Sequence, residues 1–172
     1  MENRKVKMTK KALKQTLVEL LGEKKLPDVT VTSLCAKADV NRSTFYSHYQ
    51  DLTAVLDEIE RDFVSHICYI LDKDTIKQRR ENLMEYLRYV QKNRSTFLVL
   101  LENGRMVDAV VEKSMALYHE NSVLHNKKQE SDYELLVQYA CAGTFQMISY
   151  WLKKGDACSI GHITDLILDL ML

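Results

Sequence analysis

The 172-residue chain contains one proline and five glycines, which are low counts for its length. Both residues interrupt helices and mark turns, so their scarcity argues against a fold built from many turns. Apolar residues make up 46% of the sequence and recur with a helical period. The sequence therefore predicts an all-α protein with a substantial hydrophobic core.

Long apolar runs are also missing. No stretch approaches the roughly 18 residues that a membrane-spanning helix needs. The first residues, MENRKVKMTKKALK, have no apolar segment after their basic residues, so they do not resemble a signal peptide. We expect a cytoplasmic protein without a membrane partner.

Patterns that carry catalytic or metal chemistry are absent from the sequence. The four cysteines form no CxxC pair, and the five histidines have no metal-ligand spacing. No nucleophile elbow, phosphate-binding loop or dinucleotide-binding fingerprint occurs. We expect reduced thiols, with redox sensing as the alternative, and we predict no enzyme activity, no cofactor and no metal.

Charge is distributed unevenly although the chain is neutral, with 24 basic and 24 acidic residues. Residues 1–50 hold 10 basic and 5 acidic side chains, which leaves 14 basic and 19 acidic for residues 51–172. The first segment therefore carries a net +5 and the second a net −5. A basic segment of this kind favours a polyanion such as DNA, because phosphate contacts supply much of DNA affinity.

The segment Val29–Tyr49 predicts two short helices joined by a tight turn. Thr30 is placed to cap the first helix, and Ser33 stands where a full capping box prefers glutamate, so we expect a half-built box. Asp39 falls at the turn, where a left-handed residue is expected, and Asn41 is placed to cap the second helix. An apolar stripe on the first helix has helical spacing: Val31, Leu34, Cys35 and Ala38.

The second helix separates into an inner and an outer face at about 100° per residue. Phe45 and Tyr49 point inward, and Arg42 either reads guanine or clamps a phosphate. Two helices of this kind form the helix-turn-helix that enters a DNA major groove; the alternative is a small polar helix without that role. The predicted DNA-binding residues are Thr30, Thr32, Arg42, Ser43, Thr44, Tyr46, Ser47 and His48.

About nine helices are expected in all, and they divide into two domains. Residues 1–50 form the DNA-binding domain, 51–71 a connecting helix, and 72–172 a helical regulatory and dimerisation domain. A surface loop is expected at Asn121–Ser131, and Asp72–Asp74 should end the connecting helix. Besides the helix-turn-helix, the expected helices are about Thr9–Glu23, Leu52–Leu71, Arg79–Asn93, Thr96–Glu102, Arg105–Asn121, Asp132–Lys154 and one that starts after Ser159.

The last two helices are apolar on more than one face. Such a pair needs a partner beyond its own core, and the simplest partner is the same pair from a second subunit. The alternative is that both apolar seams are internal. The predicted interface residues are Leu136, Ala140, Gly143, Met147, Ile163, Leu166 and Leu170.

The run AKADVNRSTFYSHYQDLTAVL resembles the TetR/AcrR group of bacterial regulators. In that group a threonine caps the first reading helix, as Thr30 would here, and the signature Thr-Phe/Leu-Tyr-x-His-Phe matches Thr44–Tyr49. The resemblance covers about residues 9–60, extends more loosely over ENLMEYLRYVQKNRSTFLVLLENG and YACAGTFQMISYWLKKG, and implies that Tyr46 and His48 contact phosphates. Leu52 stands where the group usually has lysine.

The resemblance also implies a ligand pocket among the helices of the second domain. Each candidate lining residue has plain core packing as its alternative. Methionine and aromatic side chains suit a flat apolar or a cationic effector. The candidates are Tyr86, Tyr89, Phe97, Leu101, Met106, Tyr118, Met147 and Trp151.

Together these patterns predict a homodimeric transcriptional regulator, expected to be a repressor, that binds a palindromic DNA operator and responds to a small-molecule effector. The first alternative is an adaptor or coactivator of the same fold that answers to a protein partner. The second is a protein that sequesters a small molecule without specific DNA binding.

Overall fold

The computed structural model describes residues 4–71, 78–120, 130–155 and 158–170. Within those ranges the chain is all-α, with nine helices and no strand, which confirms the predicted fold class. The helices are α1 Arg4–Leu21, α2 Val31–Ala38, α3 Arg42–Tyr46, α4 Leu52–Leu71, α5 Arg79–Lys92, α6 Arg94–Glu102, α7 Arg105–Glu120, α8 Glu130–Lys153 and α9 Ile160–Leu170.

The chain divides into two compact units, Met1–Phe63 and Val64–Leu172. The division falls inside α4, so this helix contributes to both units. The predicted domain boundary after residue 71 lies beside Asp72–Asp74, which are outside the described residues, as is most of the predicted loop at 121–131.

The first unit contains α1, α2, α3 and the first part of α4. Helix α1 begins at Arg4, earlier than the predicted Thr9, because lysine, arginine and methionine are good helix formers and no breaker precedes Thr9. The core residues of the first unit are fully or almost fully buried: Leu13, Leu17, Leu34, Phe45, Val55 and Leu56.

Helix α2 begins with a complete capping box, so the prediction of a half-built box was wrong. The Thr30 hydroxyl accepts from the Ser33 amide at 3.0 Å, and the Ser33 hydroxyl accepts from the Thr30 amide at 3.1 Å. Serine is shorter than glutamate but still reaches the capping amide here, and both free amides are satisfied.

The turn between α2 and α3 depends on Asp39, whose φ of 52° and ψ of 45° are left-handed. In that conformation the Val40 amide donates to the Cys35 carbonyl at 3.0 Å and ends α2. Asp51 caps α4, its Oδ1 accepting from the Ala54 amide at 2.8 Å. The left-handed conformation of Asp39 follows the sequence prediction.

The second unit is a helical bundle in which α5 packs against α9, and α7 packs against α6 and α8. Gly104 and Gly155 have φ values of 71° and 69° just after α6 and α8, where a side chain would strain the backbone. The bundle core contains Leu87, Val90, Phe97, Leu100, Met106, Ile148, Leu152 and Ile167. Over the described ranges, no helix combines the length and hydropathy that crossing a membrane requires.

Replacing Asp39 by valine should lower the free energy of unfolding by about 1–2 kcal/mol, because a β-branched residue is disfavoured at positive φ. Chemical denaturation followed by circular dichroism measures the change. The matched control Asp39→Gly should be as stable as the native protein or more so. Equal stability of the valine and glycine variants would contradict the role given to this turn.

Candidate nucleic-acid interface

Helix α3 is only five residues long, and two aromatic rings fix its inner face. Phe45 is completely buried and Tyr49 nearly so, with ring centroids 5.9 Å apart. Asn41 caps the helix by accepting from the Ser43 amide at 3.1 Å. The inward placement predicted for both rings agrees with this burial.

The outer face of α3 is polar and open to solvent. Arg42, Ser43, Tyr46 and Ser47 are exposed, while Thr44 and His48 are half-buried at its flanks. The ring of Tyr46 packs edge-on against Phe45 at 5.3 Å, which holds the tyrosine at the edge of this face. On α2, Thr30 and Thr32 are also exposed, and Thr30 is engaged in the capping box.

The two outward serines have defined hydrogen-bond roles. The Ser47 hydroxyl donates to the Thr44 carbonyl at 2.7 Å, and the Ser43 hydroxyl donates to Asn41 Oδ1 at 3.2 Å. A hydroxyl has one proton, so both oxygens remain free mainly as acceptors. Adenine N6 and cytosine N4 are donors in the major groove that suit such acceptors.

An ion-pair network, missed by the sequence analysis, ties α1 to α4. Glu58 accepts from the Lys10 ammonium at 3.0 Å and from the Lys14 ammonium at 3.2 Å, and Lys14 also reaches Asp62 at 2.6 Å. The Lys10 ammonium also lies 5.3 Å from the centre of the Tyr49 ring, so the network touches the segment that follows α3. In the sequence, the signal was two pairs of residues four positions apart: the lysines Lys10 and Lys14, and the acidic residues Glu58 and Asp62.

The network shifts the pKa values of Glu58 and Lys14, which are half-buried. Burial alone would raise the pKa of Glu58, but hydrogen bonds from Lys10 and Lys14, with a further contribution from Tyr49, lower it below its usual value. Burial opposes the charge of Lys14, and its bonds to Asp62 and Glu58 nonetheless raise its pKa. Both groups are therefore held in their charged forms.

These pairs reduce the number of basic groups that α1 offers to a phosphate backbone. Lys10 and Lys14 are engaged with carboxylates, and Lys37 on α2 lies 3.3 Å from a Glu19 oxygen. Arg42 has no ion-pair partner within the described ranges and is exposed. It is therefore the basic side chain best placed on the α3 face.

The second unit contains a cavity of about 210 Å³. Of the residues predicted for a ligand pocket, Tyr86 lines it, and so does Ala140, which was predicted for a dimer interface. Among the described residues, the lining consists of Ile67, Arg79, Leu83, Tyr86, Val110, Ala140, Cys141, Thr144, Phe145 and Leu168.

The other predicted pocket residues whose side chains the structure describes do not line this cavity. Phe97 and Met106 are completely buried in the core, and the Trp151 indole N–H donates to the Cys158 carbonyl at 2.9 Å. The Tyr89 ring lies 4.1 Å from that of His66. Leu101 and Met147 are half-buried, and the side chain of Tyr118 lies outside the described residues.

The predicted interface residues also fall into separate groups. Leu136, Gly143, Leu166 and Leu170 are exposed, Ala140 and Met147 are half-buried, and Ile163 is buried within its own unit. Ile163 is therefore core in this subunit and not part of an open surface. The exposed face of α8 contains further large apolar side chains that the prediction omitted: Leu135, Tyr139 and Tyr150.

Comparison with known proteins identifies the fold. No protein-family profile matches the chain. A TetR transcriptional regulator from Streptococcus agalactiae 2603V superposes with a TM-score of 0.67 and 22% identity, covering 97% of this chain and 95% of the other. The chain has the TetR fold. The resemblance inferred from the helix-turn-helix sequence is thereby confirmed.

Two further similarities accompany the TetR fold. The dihydroxyacetone kinase operon activator DhaS aligns over 95% of this chain and 93% of its own, with a TM-score of 0.53 and 15% identity. An uncharacterized HTH-type transcriptional regulator, YxbF of Bacillus subtilis strain 168, is 22% identical over 169 residues. That match covers 92% of this chain, which spans only 43% of the length of YxbF.

Replacing Glu58 by glutamine should destabilise the protein by about 1 kcal/mol at neutral pH, because two charge-assisted hydrogen bonds are weakened. A carboxylate with a lowered pKa stabilises the fold above its unfolded pKa, and this contribution is lost as pH falls through the folded value. The variant should therefore lose less stability than the native protein between about pH 5 and about pH 3.

Urea denaturation at a series of pH values measures this difference. Asp62→Asn is the matched control, and its effect should be smaller because the Asp62 side chain is largely exposed. Identical acid sensitivity of the native protein and Glu58→Gln would contradict the stabilising role of the network.

Proposed function

We propose that this protein is a TetR-like transcriptional regulator that binds a palindromic DNA operator as a homodimer. The observation that supports this most directly is the outer face of α3, where Arg42, Ser43, Tyr46 and Ser47 are exposed above a buried aromatic pair. A short helix presenting such groups fits the major groove. The transcriptional regulators that share its fold support the same assignment.

The outer face of α3 divides into groups that would position and groups that would read DNA. The Tyr46 hydroxyl and His48, at its edges, suit phosphate oxygens, which fix register without conveying sequence. Ser43 and Ser47, at its centre, are small enough to let the backbone approach base edges. Arg42 either bonds guanine bidentately or contacts a phosphate.

The exposed apolar face of α8 supports dimerisation. Tyr139 is 77% exposed and Leu135 is 69% exposed, and on α9 Leu170 is 71% exposed. Large apolar side chains that are exposed to water gain free energy when they are covered. A second copy of the same helices would cover it around a twofold axis, and a twofold dimer matches a palindromic operator.

Repression by blocking the operator is the first candidate for the regulatory outcome. Activation is the second, because a protein of the same fold, DhaS, is named as an operon activator. The two outcomes use the same α3 surface and differ in where the operator lies relative to the promoter. A small effector bound in the second unit would alter DNA affinity only if it bound the DNA-competent and DNA-free states unequally.

An adaptor that answers to a protein partner is the alternative to a DNA-binding regulator. It predicts that the α3 face makes no sequence-specific DNA contact and that the exposed α8 face accepts a different protein. Measurements of DNA binding and of the oligomeric state of the pure protein distinguish the adaptor from the main proposal.

Arg42→Ala should weaken operator binding, and the form of the loss identifies the contact. If Arg42 reads guanine, affinity should fall by about 1–3 kcal/mol with relaxed preference at one base pair. If it clamps a phosphate, all sequences should weaken alike, and the slope of log affinity against log salt should decrease by about one. Fluorescence anisotropy with operator and scrambled duplexes over a salt series measures both quantities.

Arg88→Ala is the matched control, because it removes the same charge from an exposed position on α5 in the other unit. Operator affinity should be nearly unchanged in this variant. Native affinity in Arg42→Ala would remove α3 from the proposed interface.

Tyr139→Glu should convert the dimer to a monomer, because it places a charge in the apolar face that the second subunit would bury. Sedimentation equilibrium measures the change in mass. Met8→Glu, an equally drastic change at an exposed apolar residue of α1, should leave the dimer intact. A native protein that is already monomeric, or a dimeric Tyr139→Glu variant, would contradict the proposed interface.

A further inference from the structure

The cavity in the unit Val64–Leu172 is partly open and is lined by residues of five helices. Helix α5 contributes three residues with helical spacing, Arg79, Leu83 and Tyr86, and α8 contributes four. Among the described residues, Ile67 of α4, Val110 of α7 and Leu168 of α9 also line it. Because so many elements converge on it, the cavity is a feature of the bundle and not a gap between two side chains.

The surface of the cavity is almost wholly apolar. Arg79 is exposed to solvent, so it contributes its methylene stem to the lining while its guanidinium remains in water. The Tyr86 side chain is 98% buried, and its hydroxyl has no hydrogen-bond partner in the described part of the chain. The described part of the lining therefore offers a ligand carbon surface and no acidic side chain.

Two titratable groups of the lining, Cys141 and Tyr86, are neutral at physiological pH. Burial, and to a lesser extent the neighbouring Cys68, raises the pKa of the Cys141 thiol to about 11. Burial also raises the pKa of the Tyr86 phenol far above its usual value, with a smaller contribution from Cys141. Neither group can supply the negative charge that a cationic ligand needs.

Volume sets the size of the ligand. An apolar cavity of about 150 Å³ stays dry and accepts benzene, whereas pockets for drug-sized molecules begin at about 300 Å³. The value of about 210 Å³ lies between these limits. It is sufficient for one ring with a short alkyl substituent.

We propose that this cavity binds a neutral, apolar molecule about the size of a substituted benzene ring, and that it rejects charged molecules of the same shape. The sequence analysis left an apolar and a cationic effector open, and the apolar lining of the cavity favours the apolar one. The role of that ligand as an effector rests on the proposed function, whereas its binding to the cavity does not.

Isothermal titration calorimetry with three probes of equal ring size tests the proposal. Toluene should bind, while benzoate and benzylamine should bind at least about tenfold more weakly, because burying an unpaired charge is costly. Toluene binding should also show a negative heat-capacity change. Absence of toluene binding to the folded protein, or equal binding of either charged probe, would overturn the proposal.

Filling the cavity identifies the binding site. Ala140→Leu adds bulk at the lining and should reduce toluene affinity at least tenfold, about 1.4 kcal/mol. Ala116→Leu, the same change at an exposed position of α7, should bind as the native protein does. If Ala140→Leu does not fold, Cys141→Leu fills the cavity from the adjacent position and should show the same loss. Unchanged toluene affinity in a folded filling variant would overturn the assignment of the site.

The calorimetry is done without DNA, so its outcome is independent of operator binding. If toluene binds the cavity but leaves operator affinity unchanged, the cavity proposal is supported. The same result would contradict regulation of DNA binding by small apolar molecules. Operator binding without toluene binding overturns the cavity proposal and leaves the DNA-binding proposal intact.

Discussion

The complete burial of Phe45 is the constraint on which the helix-turn-helix depends. A helix of five residues has too few hydrogen bonds to be stable alone, so its position must come from tertiary packing. Phe45 supplies that packing together with Tyr49, and the left-handed Asp39 sets the angle at which α3 leaves α2. Once these are fixed, the side chains between the inward positions must face solvent.

The charges around this core serve stability and binding separately. Glu58 of α4 pairs with Lys10 and Lys14 of α1, so these lysines contribute more to the stability of the first unit than to its attraction for phosphate. The basic excess of residues 1–50 therefore overstates the charge that is free to meet DNA. Specific contacts from α3 carry correspondingly more of the proposed recognition.

The sequence was a good guide where local signals agreed and a poor one where tertiary packing decided. Helix α4 was predicted from Leu52 to Leu71 because its apolar residues keep a helical period. The turn at Asp39 was predicted because an apolar stripe ends there at a residue that tolerates the left-handed conformation. Pocket lining could not be read in this way: Phe97 and Met106 are core, whereas Tyr86 meets the cavity, and only the assembled bundle distinguishes them. The Glu58 network pairs residues 44 or more positions apart, so the i, i+4 spacing within each helix does not show that the two helices pair with each other.

Sequence-specific DNA binding is the central claim, and selection of bound duplexes from a random pool tests it most directly. The selection is done with the native protein at about 150 mM salt, which suppresses non-specific phosphate binding. We expect enrichment of a palindrome whose half-sites lie about one helical turn, or a multiple of it, apart. A folded dimer that enriches no sequence would contradict sequence-specific DNA binding and favour the protein-partner adaptor.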